Sequence, residues 1–202
     1  MCVQTVKPDE FSNPIRAKSR IVALGNYETT PWTKSEKYAP VIRKESCRLL
    51  TSLAVGMGRT QKQGDCKNAL CHPILPEDEK VIIRPPSGCP LSKPGELWLL
   101  KKTLYGLRRS PKHWYNKFCD AMRNIGLKPC AHDPCVFTGC IIEGEPPIYL
   151  GVYVDDFTYF SASTEVEKAF EHALDQELNV EFMGNVAWFL GCLLYTSDAA
   201  DE

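Results

Sequence analysis

The chain has 202 residues, 44% of them apolar, and 24 Lys/Arg against 25 Asp/Glu for a formal net charge of −1. That composition allows a packed core in one large domain or two small ones, and the charge balance argues neither for nor against a polyanionic partner. No run approaches the roughly 18 apolar residues of a membrane span, no apolar N-terminal run reads as a signal peptide, and ten cysteines without a C-x-x-C pair read as free thiols in a reducing compartment.

Charge is unevenly distributed. Residues 1–50 carry nine Lys/Arg against five Asp/Glu, residues 51–150 fourteen against nine, and residues 151–202 one against eleven. A basic N-terminal part is thereby suited to face nucleic acid. In chain order, residues 1–19 read as a polar, extended lead-in, and Arg20 to Leu24 as a short strand stopped by Gly25-Asn26. Val41 to Met57 reads as a helix with Ile42, Leu49, Leu50, Leu53 and Met57 on one face. Lys80 to Arg84 and Glu96 to Leu100 read as strands. Trp114, Phe118, Met122 and Ile125 recur at helical spacing after Pro111, and Gly126 ends that helix. Cys135 to Ile142, Ile148 to Val154 and Phe157 to Phe160 read as strands. Thr164-Glu165-Val166-Glu167 reads as a capping box, opening a helix to Leu178 that buries Val166, Phe170, Ala173, Leu174 and Leu178. The expected fold class is α+β, an antiparallel sheet with helices packed on one face.

Asp155 and Asp156 lie between two apolar strand segments, where a two-residue connection makes a tight hairpin. Adjacent aspartates are common in exposed turns. Here the strand before them, Ile148-Tyr149-Leu150-Gly151-Val152-Tyr153-Val154, is almost wholly apolar. A charged pair leaving a buried strand is costly without a role, and like charges side by side repel unless a cation lies between them. Mg²⁺ takes oxygen ligands of this kind. Two such ions about 4 Å apart activate an attacking hydroxyl and stabilise a leaving group. A third carboxylate is needed, and Asp65 is the better candidate; Asp133, before Pro134, is the weaker one. Between Leu97 and Lys117 stand six Lys/Arg and no acid, interleaved with Trp98, Tyr105, Trp114 and Tyr115, a pattern suited to phosphate contact and base stacking. Cys130, His132, Cys135 and Cys140 lack the spacing of a zinc knuckle and read as structural thiols.

Eight segments in order carry a resemblance. They are Lys18 to Val22, Tyr38 to Arg43, Asp65-Cys66-Lys67-Asn68-Ala69, Pro85 to Gly88, Leu99 to Pro111 with Trp114-Tyr115, Asp133-Pro134, Tyr153 to Asp156, and Trp188 to Gly191. Together they resemble the reverse transcriptase of copia-type LTR retrotransposons. The resemblance implies right-hand polymerase fingers and palm over residues 1–191, with the thumb missing. It implies RNA-directed DNA polymerase activity, by two-metal nucleotidyl transfer from a dNTP to a primer 3′-hydroxyl. Asp65, Asp155 and Asp156 would be the catalytic, metal-binding carboxylates, with the carbonyl of Cys66 completing a shell for two Mg²⁺ or Mn²⁺ ions. Lys18, Arg20, Leu70, Tyr105 and Gly106 would meet the nucleotide. Arg108, Arg109, Tyr153, Phe189, Leu190 and Gly191 would meet template or primer. Implied partners are a primed RNA or DNA template, dNTPs and other parts of a Gag-Pol polyprotein. The implied location is a cytoplasmic virus-like particle, with no membrane.

The sequence departs from the family pattern in places. Leu70 stands where the family has an aromatic residue that would block a ribose 2′-hydroxyl, Pro73 where it has Gly, and Leu24 where it has a basic residue. Residues 192–202 do not resemble the family and read as a non-native tail, a translated sequencing adapter. The alternative expectations are a catalytically dead nucleic-acid-binding relic of the same fold, or an incomplete gene fragment with no function of its own.

Overall fold

The structure is a computed structural model and describes residues 1–8, 13–186, 188–190 and 192–193. In chain order the elements are β1 (Cys2–Pro8), β2 (Pro14–Ile21), α1 (Lys34–Lys37), α2 (Lys44–Gly56), β3 (Lys62–Cys66), β4 (Ile82–Ile83) and β5 (Trp98–Leu99). Then follow α3 (Ser110–Asn124), β6 (Lys128–Pro129), β7 (Val136–Gly139), β8 (Ile148–Tyr153), β9 (Asp156–Ser161), α4 (Thr164–Glu177), β10 (Val180–Asn185), β11 (Trp188–Phe189) and β12 (Cys192–Leu193).

The chain divides into two compact units. The first comprises residues 1–39 and 70–114. Its β1 and β2 form an antiparallel hairpin with Cys2 opposite Ile21 and Thr5 opposite Lys18. The expected extended lead-in, residues 1–19, therefore holds β1 and most of β2, the two arms of one hairpin, because a ladder satisfies the backbone of a polar segment that periodicity alone cannot assign. A second small sheet pairs β4 with β5, Ile82 opposite Leu99. Both strands are shorter than expected, being closed in by Pro85-Pro86 and by Pro94-Gly95. A capping box opens α1: Thr33 Oγ1 accepts from the Glu36 N–H at 3.3 Å, and the Thr33 N–H donates to Glu36 Oε2 at 2.8 Å.

The second unit comprises residues 40–69 and 115–202. Its described centre is a six-stranded antiparallel sheet in the order β10-β3-β9-β8-β7-β6. Phe118 of α3 meets Phe137 of β7 at 5.8 Å between centroids, and Phe170 of α4 meets Tyr159 of β9 at 5.0 Å. Phe137 pairs with Leu150 and Leu150 with Tyr159, so α3 and α4 cover one face. Thr158 and Gly151 pair on the other face. A Cβ added to Gly151 would meet Ile42 Cδ1 at 2.7 Å and Leu50 Cδ1 at 2.8 Å. The α2 helix thus lies on the opposite side from α4.

Helices on both faces correct the expectation of one covered face. The cause is legible in β8 and β9. Leu150, Val152, Phe157 and Tyr159 are buried on one face and Gly151, Thr158 and Phe160 on the other, so neither face can be left to water. Two further corrections are local. Leu49 is 67% exposed and Ala54 takes its expected place in the core. The cap of α4 is Ser163, whose side chain accepts from the Val166 N–H, while the buried Glu167 accepts from the Ser161 N–H at 3.1 Å and pairs with Arg59 and Lys62.

Candidate active site

The second unit brings the predicted carboxylates to one end of its sheet. Asp65, near the end of β3, lies opposite Asp156, the first residue of β9. Asp156 in turn lies opposite Tyr153 at the end of β8, so Val154 and Asp155 are the two turn residues. The Cys66 N–H donates to the Asp155 carbonyl at 2.8 Å, which ties the turn to β3. All three carboxylates are half-buried. Cys66 is buried, and burial pushes its thiol up; the charges of Asp65, Asp155 and Asp156 push it further. Cys66 thus lies within electrostatic reach of all three aspartates, although Asp65 is 90 residues from Asp155 in sequence.

The turn is not the one expected. The sequence puts Asp155 and Asp156 in a two-residue connection; in the structure that connection is Val154-Asp155, and Val154 has φ 58°. A β-branched residue in the left-handed region is a genuine outlier, of order 1–3 kcal/mol, and such strain clusters at functional sites. Gly64 is the residue the sequence reading passed over. A Cβ there would run into the Phe157 ring, so only glycine lets β3 lie against β9 at this point. The signal was present as a glycine inside a strand directly before a candidate ligand.

The donor set suits a hard cation. It offers carboxylate oxygens and the Cys66 carbonyl, while the Cys66 sulfur is held protonated. Among the described residues, no three His, Cys, Asp or Glu side chains are already spaced to close on one ion. Asp133, the weaker candidate, is engaged elsewhere. It is buried, and its carboxylate accepts from the Arg43 N–H at 3.0 Å, Ser46 Oγ at 2.6 Å and the Cys135 N–H at 2.9 Å.

The first unit assembles most of the residues expected at the nucleotide. The Arg20 guanidinium lies 5.4 Å over the Tyr105 ring, and the Ala23 N–H donates to the Tyr105 carbonyl at 2.7 Å. Gly106 has φ 89°, and a Cβ on it would run into the Ala23 carbonyl; one on Gly25 would run into the Gly106 carbonyl. The two segments cross backbone to backbone, which only glycines permit. The Leu70 carbonyl accepts from Thr103 Oγ1 at 2.8 Å, and beside it burial raises the Cys71 thiol against the opposing Tyr105 N–H. Lys18 is half-buried on β2.

Arg108 donates through its backbone N–H to Glu28 Oε1 at 2.9 Å and through Nη2 to the Asn26 carbonyl at 3.2 Å. Arg109 is folded inward: its guanidinium lies 4.3 Å over Trp32 and 2.6 Å from Glu79, which also meets His113 Nε2 at 2.8 Å. Both guanidinium groups are thus engaged within their own unit. In the second unit Tyr153 and Leu190 are exposed, Phe189 is buried in the β11–β12 pair, and Gly191 with residues 194–202 lies outside the described residues. No helix among the described residues is long and apolar enough to cross a membrane.

Comparison with known proteins accounts for nearly the whole chain. The family model described as reverse transcriptase (RNA-dependent DNA polymerase) matches residues 1–200. The Retrovirus-related Pol polyprotein from transposon RE2 of Arabidopsis thaliana is 30% identical over 176 residues, 87% of this chain and 12% of that protein. That from transposon TNT 1-94 of Nicotiana tabacum is 28% identical over 187 residues, 92% of this chain and 14% of that protein. The Transposon Ty1-MR1 Gag-Pol polyprotein of Saccharomyces cerevisiae is 26% identical over 151 residues, 75% of this chain and 8% of that protein. The chain thus spans only a small part of the curated relatives it matches. No solved structure matches it. On the family match and these relatives, the chain belongs to the reverse transcriptase (RNA-dependent DNA polymerase) family, as the domain carried by copia-type Pol polyproteins.

Proposed function

We propose that this chain is the catalytic core of an RNA-directed DNA polymerase within a longer Gag-Pol polyprotein, extending a primer on an RNA or DNA template. The observation that carries the reading is the register of Asp65 against Asp156 with Asp155 in the adjoining turn. Asp65, Asp155, Asp156 and the Cys66 carbonyl would hold two Mg²⁺ or Mn²⁺ ions. When bound, these supply the positive charge that favours an ionised primer 3′-hydroxyl and a leaving pyrophosphate. Val154 holds the turn in a left-handed conformation that presents Asp155, and the Cys66 N–H anchors that turn to β3. In the first unit, Lys18 and Arg20 offset triphosphate charge, Tyr105 and Gly106 give the base a flat platform, and Leu70 meets the sugar. Arg108 meets a template phosphate, and Tyr153, Phe189, Leu190 and Gly191 meet the primer. The family resemblance supports these roles, and with them the reading of the chain as fingers and palm acting in a virus-like particle.

The test is Mg²⁺-dependent primer extension by the full-length polymerase. Asp155→Asn is expected to lower the rate by at least about a thousandfold while primer–template binding persists. Extension that survives the change would sink the assignment. Leu70 and Pro73 favour a second reading, a catalytically silent nucleic-acid-binding relic. That reading predicts salt-sensitive binding of primer–template with no incorporation by the unaltered protein.

A further inference from the structure

Asp133 lies outside the carboxylate site, yet it is 3% exposed and saturated with donors. Burial alone would raise its pKa; the Ser46 hydroxyl, the Arg43 and Cys135 N–H groups and the Arg43 charge outweigh burial and hold it below the ordinary range. Its donors come from two directions. The Arg43 N–H and Ser46 Oγ belong to the start of α2, where Arg43 is the N-cap residue and supplies no capping side chain of its own. From 90 residues away in sequence, Asp133 accepts the N–H of that N-cap residue and the Ser46 hydroxyl of the first turn, at the end of the helix that favours negative charge. The Cys135 N–H belongs to the segment entering β7, and the Cys135 carbonyl accepts from the Val152 N–H of β8 at 2.9 Å.

One carboxylate thereby fixes β8 from two sides. On one side it holds the start of α2, beside which Ile42 and Leu50 pack into the space a Cβ of Gly151 would fill. On the other it holds Cys135, which binds the residue after Gly151. Val152 is three residues from Asp155. We propose that Asp133 is a positioning residue for the Asp155-Asp156 turn: it clamps α2 and the entry of β7 onto the strand that delivers the catalytic carboxylates. This rests on the polymerase reading for its kinetic consequence, but not for its structural one.

Asp133→Asn keeps the shape and turns an NH₂ toward one set of donors, and Ser46→Ala removes one donor only. In the full-length polymerase, well below its melting temperature, Asp133→Asn is expected to lower kcat by at least about tenfold with the dNTP KM within about twofold, because displacement of a reacting group costs rate rather than binding. Ser46→Ala is expected to give the same split at about two- to threefold. Amide exchange in the full chain is expected to quicken by about tenfold from Val152 to Asp156 and to stay unchanged in β10. If Asp133→Asn does not fold, Ser46→Ala decides by the same readings. A lowered melting temperature with kcat and exchange unchanged would overturn the proposal, as would a rise in KM at constant kcat. A parent protein that incorporates no nucleotide overturns the polymerase reading instead, and the exchange measurement then decides the role of Asp133.

Discussion

Gly64 offers the sharpest test of how the carboxylate end of the sheet is built. In Gly64→Ala the new methyl would lie 2.8 and 2.9 Å from two carbons of the Phe157 ring and closer still to a third. Ordinary carbon contacts lie at about 3.5–4.0 Å, so ring or strand must shift by roughly 1 Å. The ring has little room to give. Phe157 is fully buried, with Tyr159 at 6.0 Å and Phe182 at 6.3 Å between ring centroids. Overpacking of this kind costs about 1–3 kcal/mol, offset by about 0.5 kcal/mol from the lower entropy of the unfolded alanine chain. The expected net loss of about 0.5–2.5 kcal/mol corresponds to a fall in midpoint of roughly 1–10 °C for a chain of this size. Thermal unfolding followed by circular dichroism measures it. Phe157→Leu makes room for the methyl, so the double variant is expected to be more stable than the sum of the two single changes by about 1 kcal/mol. An alanine variant that melts at or above the parent, or strict additivity with Phe157→Leu, would refute the packing argument.

Further expectations follow from the same unit and its neighbour. Asp133 and Glu171 have folded pKa values below their ordinary ones; for Glu171 burial raises the value, and hydrogen bonds from Lys62 and Tyr159 outweigh it. Their stabilisation is full above the ordinary carboxylate range and is lost as pH falls through the lower folded values, so the melting temperature should drop below about pH 4. Asp133→Asn should make that drop shallower, and an unchanged slope would count against the assignment. Glu167→Ala strips a buried carboxylate from Arg59, Lys62 and the Ser161 N–H, and should cost about 3–5 kcal/mol in denaturant unfolding. A loss under about 1 kcal/mol would show the network to be dispensable. Leu70→Phe restores the aromatic residue of the family pattern and should raise selection for dNTP over rNTP by about tenfold or more in single-nucleotide incorporation. Unchanged selection would remove Leu70 from the sugar site.

Much of this was legible from local pattern. Trp114, Phe118 and Met122 are buried along α3 as their spacing required, and Val166, Phe170 and Leu174 along α4 likewise. Those helices declare themselves because one apolar stripe at helical spacing has a single way to be buried. The motifs carrying the family resemblance were equally legible, since chemistry demands particular side chains in order. The β1–β2 hairpin was not legible, because its polar, Pro-flanked arms are stabilised by pairing with each other rather than by periodic burial. Nor was the second covered face of the sheet. A strand that is apolar throughout says that both sides are buried but not which helices bury them.

By itself the sequence determined that Asp65 and the Asp155-Asp156 pair are the carboxylates to watch, that Tyr105-Gly106 belongs to a family-like motif, and which family the chain resembles. Only the tertiary structure decided how they are held. It placed Val154 rather than an aspartate in the left-handed turn position, since strand register and not turn preference sets which residues cross the hairpin. It turned Arg109 inward onto Trp32 and Glu79. It also gave Asp133 a full set of donors within the fold, two of them from the start of a helix that begins 90 residues earlier. The reason is physical. A carboxylate's role is set by the donors that surround it, and for Asp133 and Asp65 alike those surroundings come from parts of the chain far away in sequence.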